Sequence, residues 1–242
     1  MIQGNIVLFQ IGKVGSTTIG ESLRASGIDV EHAHVMLPES VARRSKGEQR
    51  AGSPAYDKAA RLLKLMWSGA QVNVITSVRE PIGRNVSLLF ETYSALTGGS
   101  KWQDATQDEL QRVYEDDLPH DEPLVWFDDE FLPATGVDVY AHEFDAERGW
   151  SVVARGSVRV LLIKVEIGDA ALGDAISRFL GSKVIIKDAC RVNKHRVYEA
   201  FKRRVLVPQR RMEEAVASKY VRHFYTEREI TAMRVKWRVP AA

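Results

Sequence analysis

Two apolar runs, each ending at a turn that opens a helix, constrain this chain more than any other feature of its sequence. Residues 5–10 read Asn-Ile-Val-Leu-Phe-Gln and residues 72–78 read Val-Asn-Val-Ile-Thr-Ser-Val. Neither run alternates strictly between polar and apolar residues. Both therefore suit strands buried on two faces, as in a parallel sheet covered by its crossovers. Helix signals follow each. Residues 16–26 place Ile19 and Leu23 on one face and stop at Gly27. Pro81 suits the first turn of a helix running to about Leu96 and stopping at Gly98-Gly99.

The rest of the chain extends this alternation. Residues 28–35 read as a second strand, 40–53 as a polar, basic loop or short helix, and 56–67 as an amphipathic helix ended by Ser68-Gly69. The acidic middle reads as one or two helices, the second over 124–132, then a short extended piece at 137–140. Residues 150–154 and 159–165 read as strands around an Arg155-Gly156-Ser157 turn. The remainder is helical, with a capping box at Thr226-Glu227-Arg228-Glu229 and Tyr225 and Ile230 placed as a staple. The expected fold is α/β, a single domain over 1–242. It is a P-loop-like three-layer arrangement with a central, mainly parallel sheet flanked by helices and a helical C-terminal third. Ligands of such folds bind at the carboxyl ends of the strands.

Charge and cysteine usage narrow the partners. A net charge of +2 gives no general case for nucleic acid. Residues 103–147 carry fifteen acids against one Arg, and 183–211 carry ten Lys/Arg against two acids; both stretches read first as solvated helix faces. The single cysteine, Cys190, allows no internal disulfide and suits a reducing compartment. With no secretory pattern and no stretch long enough to span a bilayer, the expected location is cytoplasmic, without an integral membrane segment.

The turns after the two runs carry the chemistry. The first reads Gln10-Ile11-Gly12-Lys13-Val14-Gly15-Ser16-Thr17-Thr18. A glycine turn between strand and helix aims backbone amides and the positive helix end at an anion, and here Lys13 and three hydroxyls add to them. A Walker loop ends Gly-Lys-Ser/Thr, whereas Lys13 precedes Gly15 and Ser16, and no carboxylate stands out as a Mg²⁺ partner. A metal-free phosphate ligand suits this order, and an incidental Lys in an ordinary turn is the alternative. In the second turn Arg79 ends a strand, while Arg84 and Ser87 share a helix face. Guanidinium and hydroxyl together make a receptor for a phosphate monoester. The alternative pairs Arg79 with a local carboxylate such as Glu80. As a pair, the two turns suit the two ends of one doubly phosphorylated nucleotide.

These segments resemble the 5′-phosphosulfate loop and the 3′-phosphate motif of sulfotransferases that use 3′-phosphoadenosine 5′-phosphosulfate (PAPS), whose second motif has the Arg79-to-Ser87 spacing. The wider chain is similar to capsular polysaccharide synthesis proteins of the NKWYS type. That similarity rests on residues 10–16, Val78-Arg-Glu-Pro, Trp126-Phe-Asp-Asp-Glu-Phe131, Gly136-Val-Asp-Val-Tyr140, Ser218-Lys-Tyr220 and His223-Phe-Tyr225. The resemblance implies that Lys13 contacts the bridging and leaving-side oxygens of the phosphosulfate. It implies that Gly15, Ser16, Thr17 and Thr18 cradle the 5′-phosphate, and that Arg79 and Ser87, with Arg84 beside them, hold the 3′-phosphate. A late basic segment containing Arg191, Asn193, Lys194 and Arg196 would close over the nucleotide, with Lys194 as a ligand. The implied enzyme moves a sulfuryl group from PAPS to a hydroxyl or amine of a carbohydrate-like or small-molecule acceptor, with no metal.

The acceptor must lose a proton, and Glu31-His32-Ala33-His34 supplies candidates, since period-2 spacing puts His32 and His34 on one strand face. His34 is preferred over His32 as the base. The alternatives are a structural hydrogen bond or a His-x-His metal pair, for which no third ligand stands out. Tyr198, Phe201, Val205, Trp126, Phe127, Phe131, Tyr220, Phe224 and Trp237 read as core. Two other functions remain open: a P-loop-like kinase or nucleotide hydrolase, and a non-catalytic nucleotide-binding protein of polysaccharide synthesis.

Overall fold

The computed structural model describes residues 4–44, 53–187 and 195–237. In chain order the elements are β1 (Asn5–Phe9), α1 (Ser16–Ala25), β2 (Glu31–Ala33), α2 (Pro38–Arg44), α3 (Pro54–Met66), β3 (Val72–Val78) and α4 (Pro81–Leu96). The acidic middle holds α5 (Gln107–Arg112), α6 (Glu122–Trp126) and α7 (Leu132–Thr135), with π-helical turns at Val113–Asp117 and Phe127–Phe131. A hairpin of β4 (Trp150–Arg155) and β5 (Val158–Lys164) follows. Then come α8 (Asp169–Leu180), α9 (Arg196–Arg204), α10 (Gln209–Ala217), α11 (Lys219–Phe224) and α12 (Glu227–Lys236).

The strands form one sheet in the order β2-β1-β3-β5-β4. Its first four members are parallel and β4 runs antiparallel along the edge. Val72 pairs with Val158 and Val78 with Lys164, so β3 and β5 run in step over their whole length. Every residue of β3 is buried, which is the physical reason its sequence lacks alternation. Because β1 and β3 are parallel neighbours, the chain leaves both at the same edge of the sheet.

Contacts divide the chain into two units, residues 1–78 with 125–190 and residues 79–124 with 191–242. The first holds the sheet. On one of its faces Ile6, Leu8, Ile75 and Leu161 pack with Ile19 and Leu23 of α1 and Ile176 and Phe179 of α8. On the other, the Phe9 ring meets Trp126 and Phe131 at centroid distances of 5.1 and 5.4 Å. Helical elements thus pack on both faces of a mainly parallel sheet, an α/β architecture as expected. The second unit is helical, with Phe90 of α4 against Tyr198 and Phe201 of α9 at 4.8 and 5.7 Å.

Several expectations shift. Only Glu31–Ala33 of the 28–35 run pairs as a strand; Ile28 and Val30 are buried by packing and not by a ladder. The piece at 137–140 is a turn of 3-10 helix, Val139–Ala141, because the Asp138 carboxylate accepts the Tyr140 amide at 2.9 Å and bends the chain. The second acidic helix is longer than 124–132 and carries a π turn. Within 40–53, α2 is helical to Arg44 and residues 45–52 lie outside those described. The Thr226 capping box forms, with Tyr225 and Ile230 both buried. The aromatic residues read as core are all buried.

Candidate functional site

The loop between β1 and α1 is built from two left-handed residues within three. Lys13 has φ 71°, the single positive φ at a non-glycine residue among the described residues, and Gly15 has φ 81° as the N-cap of α1. A side chain in this region is strained by about 1–2 kcal/mol, and such residues persist where the surroundings hold them. Gly15 caps the helix without a side chain, and the first turn of α1 contains no acid. The first backbone bond into the helix runs from the Ile19 amide to the Gly15 carbonyl at 3.1 Å. The amides of Ser16, Thr17 and Thr18 have no intrahelical acceptor, so they and the positive end of the helix dipole are presented to the loop. Lys13 is half-buried and Gly15 exposed. The arrangement is an anion receptor assembled mainly from backbone.

Gln10, the last residue before this loop, ties three strands together. It is fully buried; its amide donates to Ala33 O at 3.2 Å, and its Oε1 accepts the Ser77 amide at 3.0 Å. Its own carbonyl lies 2.7 Å from Nδ1 of His34. A carbonyl can only accept, so His34 Nδ1 carries a proton, and in the neutral form of the ring the lone pair lies on Nε2. His34 is thus hydrogen-bonded to the start of the Lys13 loop in the tautomer a base requires. His32 packs edge-on against His34 with ring centroids 4.5 Å apart. Burial, followed by repulsion from a protonated neighbour at His34 and from Lys58 and Arg24, pushes the His32 pKa from 6.5 down to about 4. His32 therefore stays neutral at pH 7. Between those two values the unfolded chain binds a proton that the folded chain refuses, so stability falls as pH falls through that window. His32→Phe should lose less stability than the parent chain between about pH 7 and about pH 5 in urea melts.

In the second unit Arg79 precedes α4. Its Nη1 donates to Ser87 Oγ at 3.2 Å, and Ser87 Oγ lies 3.3 Å from the Tyr198 hydroxyl. The Tyr220 hydroxyl accepts the Arg79 amide at 3.1 Å and donates to the Arg79 carbonyl at 2.9 Å, so the backbone of Arg79 is clamped while its side chain reaches Ser87. Glu80 Oε1 accepts from Trp237 Nε1 and, at 3.2 Å, from Lys236. Arg84 has partners of its own on and near α4. It is 1% exposed and directs its guanidinium to Asn85 Oδ1 at 3.0 Å and Glu122 at 2.6 Å, which makes it an internal strut of α4. Lys194, with Cys190, Arg191 and Asn193, lies outside the described residues.

Sequence reasoning passed over four participants. Tyr220 and Tyr198 read as core, and they are, but their hydroxyls serve Arg79 and Ser87. Gln10 reads as the end of a strand. Glu130 reads as one of fifteen solvated acids yet is 3% exposed, and its position between Phe127 and Phe131 was the available signal. Among the described residues no group of three His, Cys, Asp or Glu is placed to hold a metal ion, and no helix is long and apolar enough to cross a membrane.

Residues 104–226 match the family described as "Putative capsular polysaccharide synthesis protein", NKWYS. The match takes in the Phe127–Phe131 turn, Tyr198 and Tyr220, and stops short of the Lys13 loop and of Arg79 and Ser87. No curated protein and no solved structure matches the chain.

Proposed function

The chain belongs to the NKWYS capsular polysaccharide synthesis family, and from that premise we propose that it is a sulfotransferase using PAPS as donor and a carbohydrate-like hydroxyl or amine as acceptor. The observation that carries this reading is the strained Lys13 loop. It offers a cation and uncapped helix amides to an anion, in an order that a Mg²⁺–ATP loop does not use. The 5′-phosphosulfate is assigned to Lys13, Gly15, Ser16, Thr17 and Thr18, and the 3′-phosphate to Arg79 and Ser87. Arg84, bonded to Asn85 Oδ1 and Glu122, would stand behind this pair as a buried positive charge.

In the reaction, the acceptor oxygen or nitrogen forms a bond to sulfur as the bond from sulfur to the 5′-phosphate oxygen breaks. The acceptor proton passes to Nε2 of His34, and 3′-phosphoadenosine 5′-phosphate (PAP) departs. Negative charge grows on the bridging oxygen, which Lys13 and the first-turn amides of α1 stabilise without rearranging. The test is incubation with PAPS radiolabelled in the sulfuryl group and a panel of oligosaccharide acceptors. Label on an acceptor, in a reaction that needs no added Mg²⁺, is the expected result. Hydrolysis of ATP–Mg²⁺ with no labelled acceptor would refute the reading in favour of a nucleotide hydrolase.

A further inference from the structure

β2 ends at Ala33, so residues 34–37 must find backbone partners outside the sheet. The N-terminal side of His34 is held by strand pairing, Phe9 opposite Ala33 and the Gln10 amide on the Ala33 carbonyl. The C-terminal side is held from the end of α6 and the Phe127–Phe131 turn that follows it. The Trp126 indole N–H donates to the His34 carbonyl at 3.2 Å. Oε1 of Glu130 accepts the amides of Met36 at 2.5 Å and Leu37 at 3.1 Å. Trp126 and Glu130 are four residues apart, one helical turn, and so reach the same segment.

This placement is expensive. Glu130 is 3% exposed beside Phe127 and Phe131, and its Oε2 has no hydrogen-bond partner among the described residues. A buried carboxylate so incompletely satisfied is less favourable than an apolar residue of similar volume. Packing alone does not call for it, and a π turn in this position is a common companion of functional sites.

We propose that Trp126 and Glu130 are positioning residues for His34. They hold the chain after it so that Nδ1–H stays on the Gln10 carbonyl and Nε2 keeps its lone pair for the acceptor proton. This rests on the reading of His34 as the base. Three variants of the full chain separate the roles. Trp126→Phe keeps the aromatic packing and removes the donor. Glu130→Ala removes the acceptor for two amides. Glu130→Gln restores an oxygen that can accept both.

Three quantities are read for each: the dissociation constant for PAP by calorimetry, the transfer rate, and the His34 tautomer. The tautomer comes from nitrogen–proton correlation spectra at about pH 8, where imidazole is neutral, with His34 signals assigned through His34→Gln. Trp126→Phe and Glu130→Ala should keep the PAP affinity and lose about tenfold in rate, the scale expected for a slightly misplaced catalytic group. Their His34 signals should move from one tautomer to a mixture, and Glu130→Gln should restore both rate and tautomer. An unchanged tautomer in Trp126→Phe overturns the proposal, and this variant decides the case if Glu130→Ala does not fold. If the parent chain binds no PAP, the sulfotransferase reading fails separately, and the tautomer still decides whether Trp126 and Glu130 hold the ring.

Discussion

Replacing Lys13 with glycine is expected to lower the sulfuryl-transfer rate by about 100- to 1000-fold while changing the PAP dissociation constant by less than about threefold. That range is the effect of removing one preorganised charge-stabilising group from a developing anion. Glycine is the informative substitution because Lys13 sits at φ 71°. Removing its Cβ relieves strain of about 1–2 kcal/mol, which offsets the extra freedom glycine gives the unfolded chain, up to about 1 kcal/mol. Stability measured by urea titration should therefore change by no more than about 1 kcal/mol in either direction. A large fall in rate at nearly constant stability marks a residue kept in a costly conformation for its ammonium group. Parallel loss of PAP affinity and rate would mean that Lys13 holds the nucleotide equally in ground and transition states.

The second large effect concerns the 3′-phosphate. Arg79→Ala should weaken PAP binding by about 30- to 100-fold, equivalent to 2–3 kcal/mol, the range for hydrogen bonds to a charged group. The same variant should weaken the 3′-dephospho analogue by less than about threefold. The structure makes this selectivity reasonable, since the Arg79 backbone is held by Tyr220 whatever the side chain, while the guanidinium points to Ser87. Arg79→Lys should recover little, because a point charge cannot reproduce the guanidinium fork. Equal losses for both nucleotides, measured by calorimetry, would assign Arg79 a structural role.

The elements bounding these groups were legible because local chemistry decides them. The stop of α1 before Gly27, the start of α4 at Pro81 and the Thr226 box each depend on one or two residues whose backbone preferences leave few options. The strand at residues 28–35 was over-read for a different reason. Ile28 and Val30 are buried against α1 and the sheet, and apolarity reports burial without reporting which backbone groups pair. Arg84 was legible as a helix-face partner of Ser87 but not as the partner of Glu122, a contact between residues thirty-eight positions apart. Tyr220 and Glu130 share that difficulty. Tyr220 serves Arg79, 141 positions away, and Glu130 serves Met36 and Leu37, 94 and 93 positions away, and periodicity along their own helices reports only that they are buried.

The His34 tautomer was likewise invisible in sequence, since it depends on a carbonyl at the end of a neighbouring strand. Period-2 spacing did place His32 and His34 on one face, and their rings touch. What separates them is environment. His32 is held neutral by burial and by nearby positive charge, whereas His34 is oriented by the strand that opens the Lys13 loop.

A chain with these two phosphate receptors is expected to bind a nucleotide phosphorylated at both the 3′ and 5′ positions without a metal ion. Thermal denaturation of the parent chain with PAP and, separately, with ATP and Mg²⁺ decides this. At a hundredfold excess over its dissociation constant PAP should stabilise the fold by about 2.7 kcal/mol, seen as a clear rise in Tm, with no comparable rise for ATP and Mg²⁺. A rise with ATP and Mg²⁺ alone would mean that the Lys13 loop serves a metal-bound nucleoside triphosphate and not a 3′,5′-bisphosphorylated nucleotide.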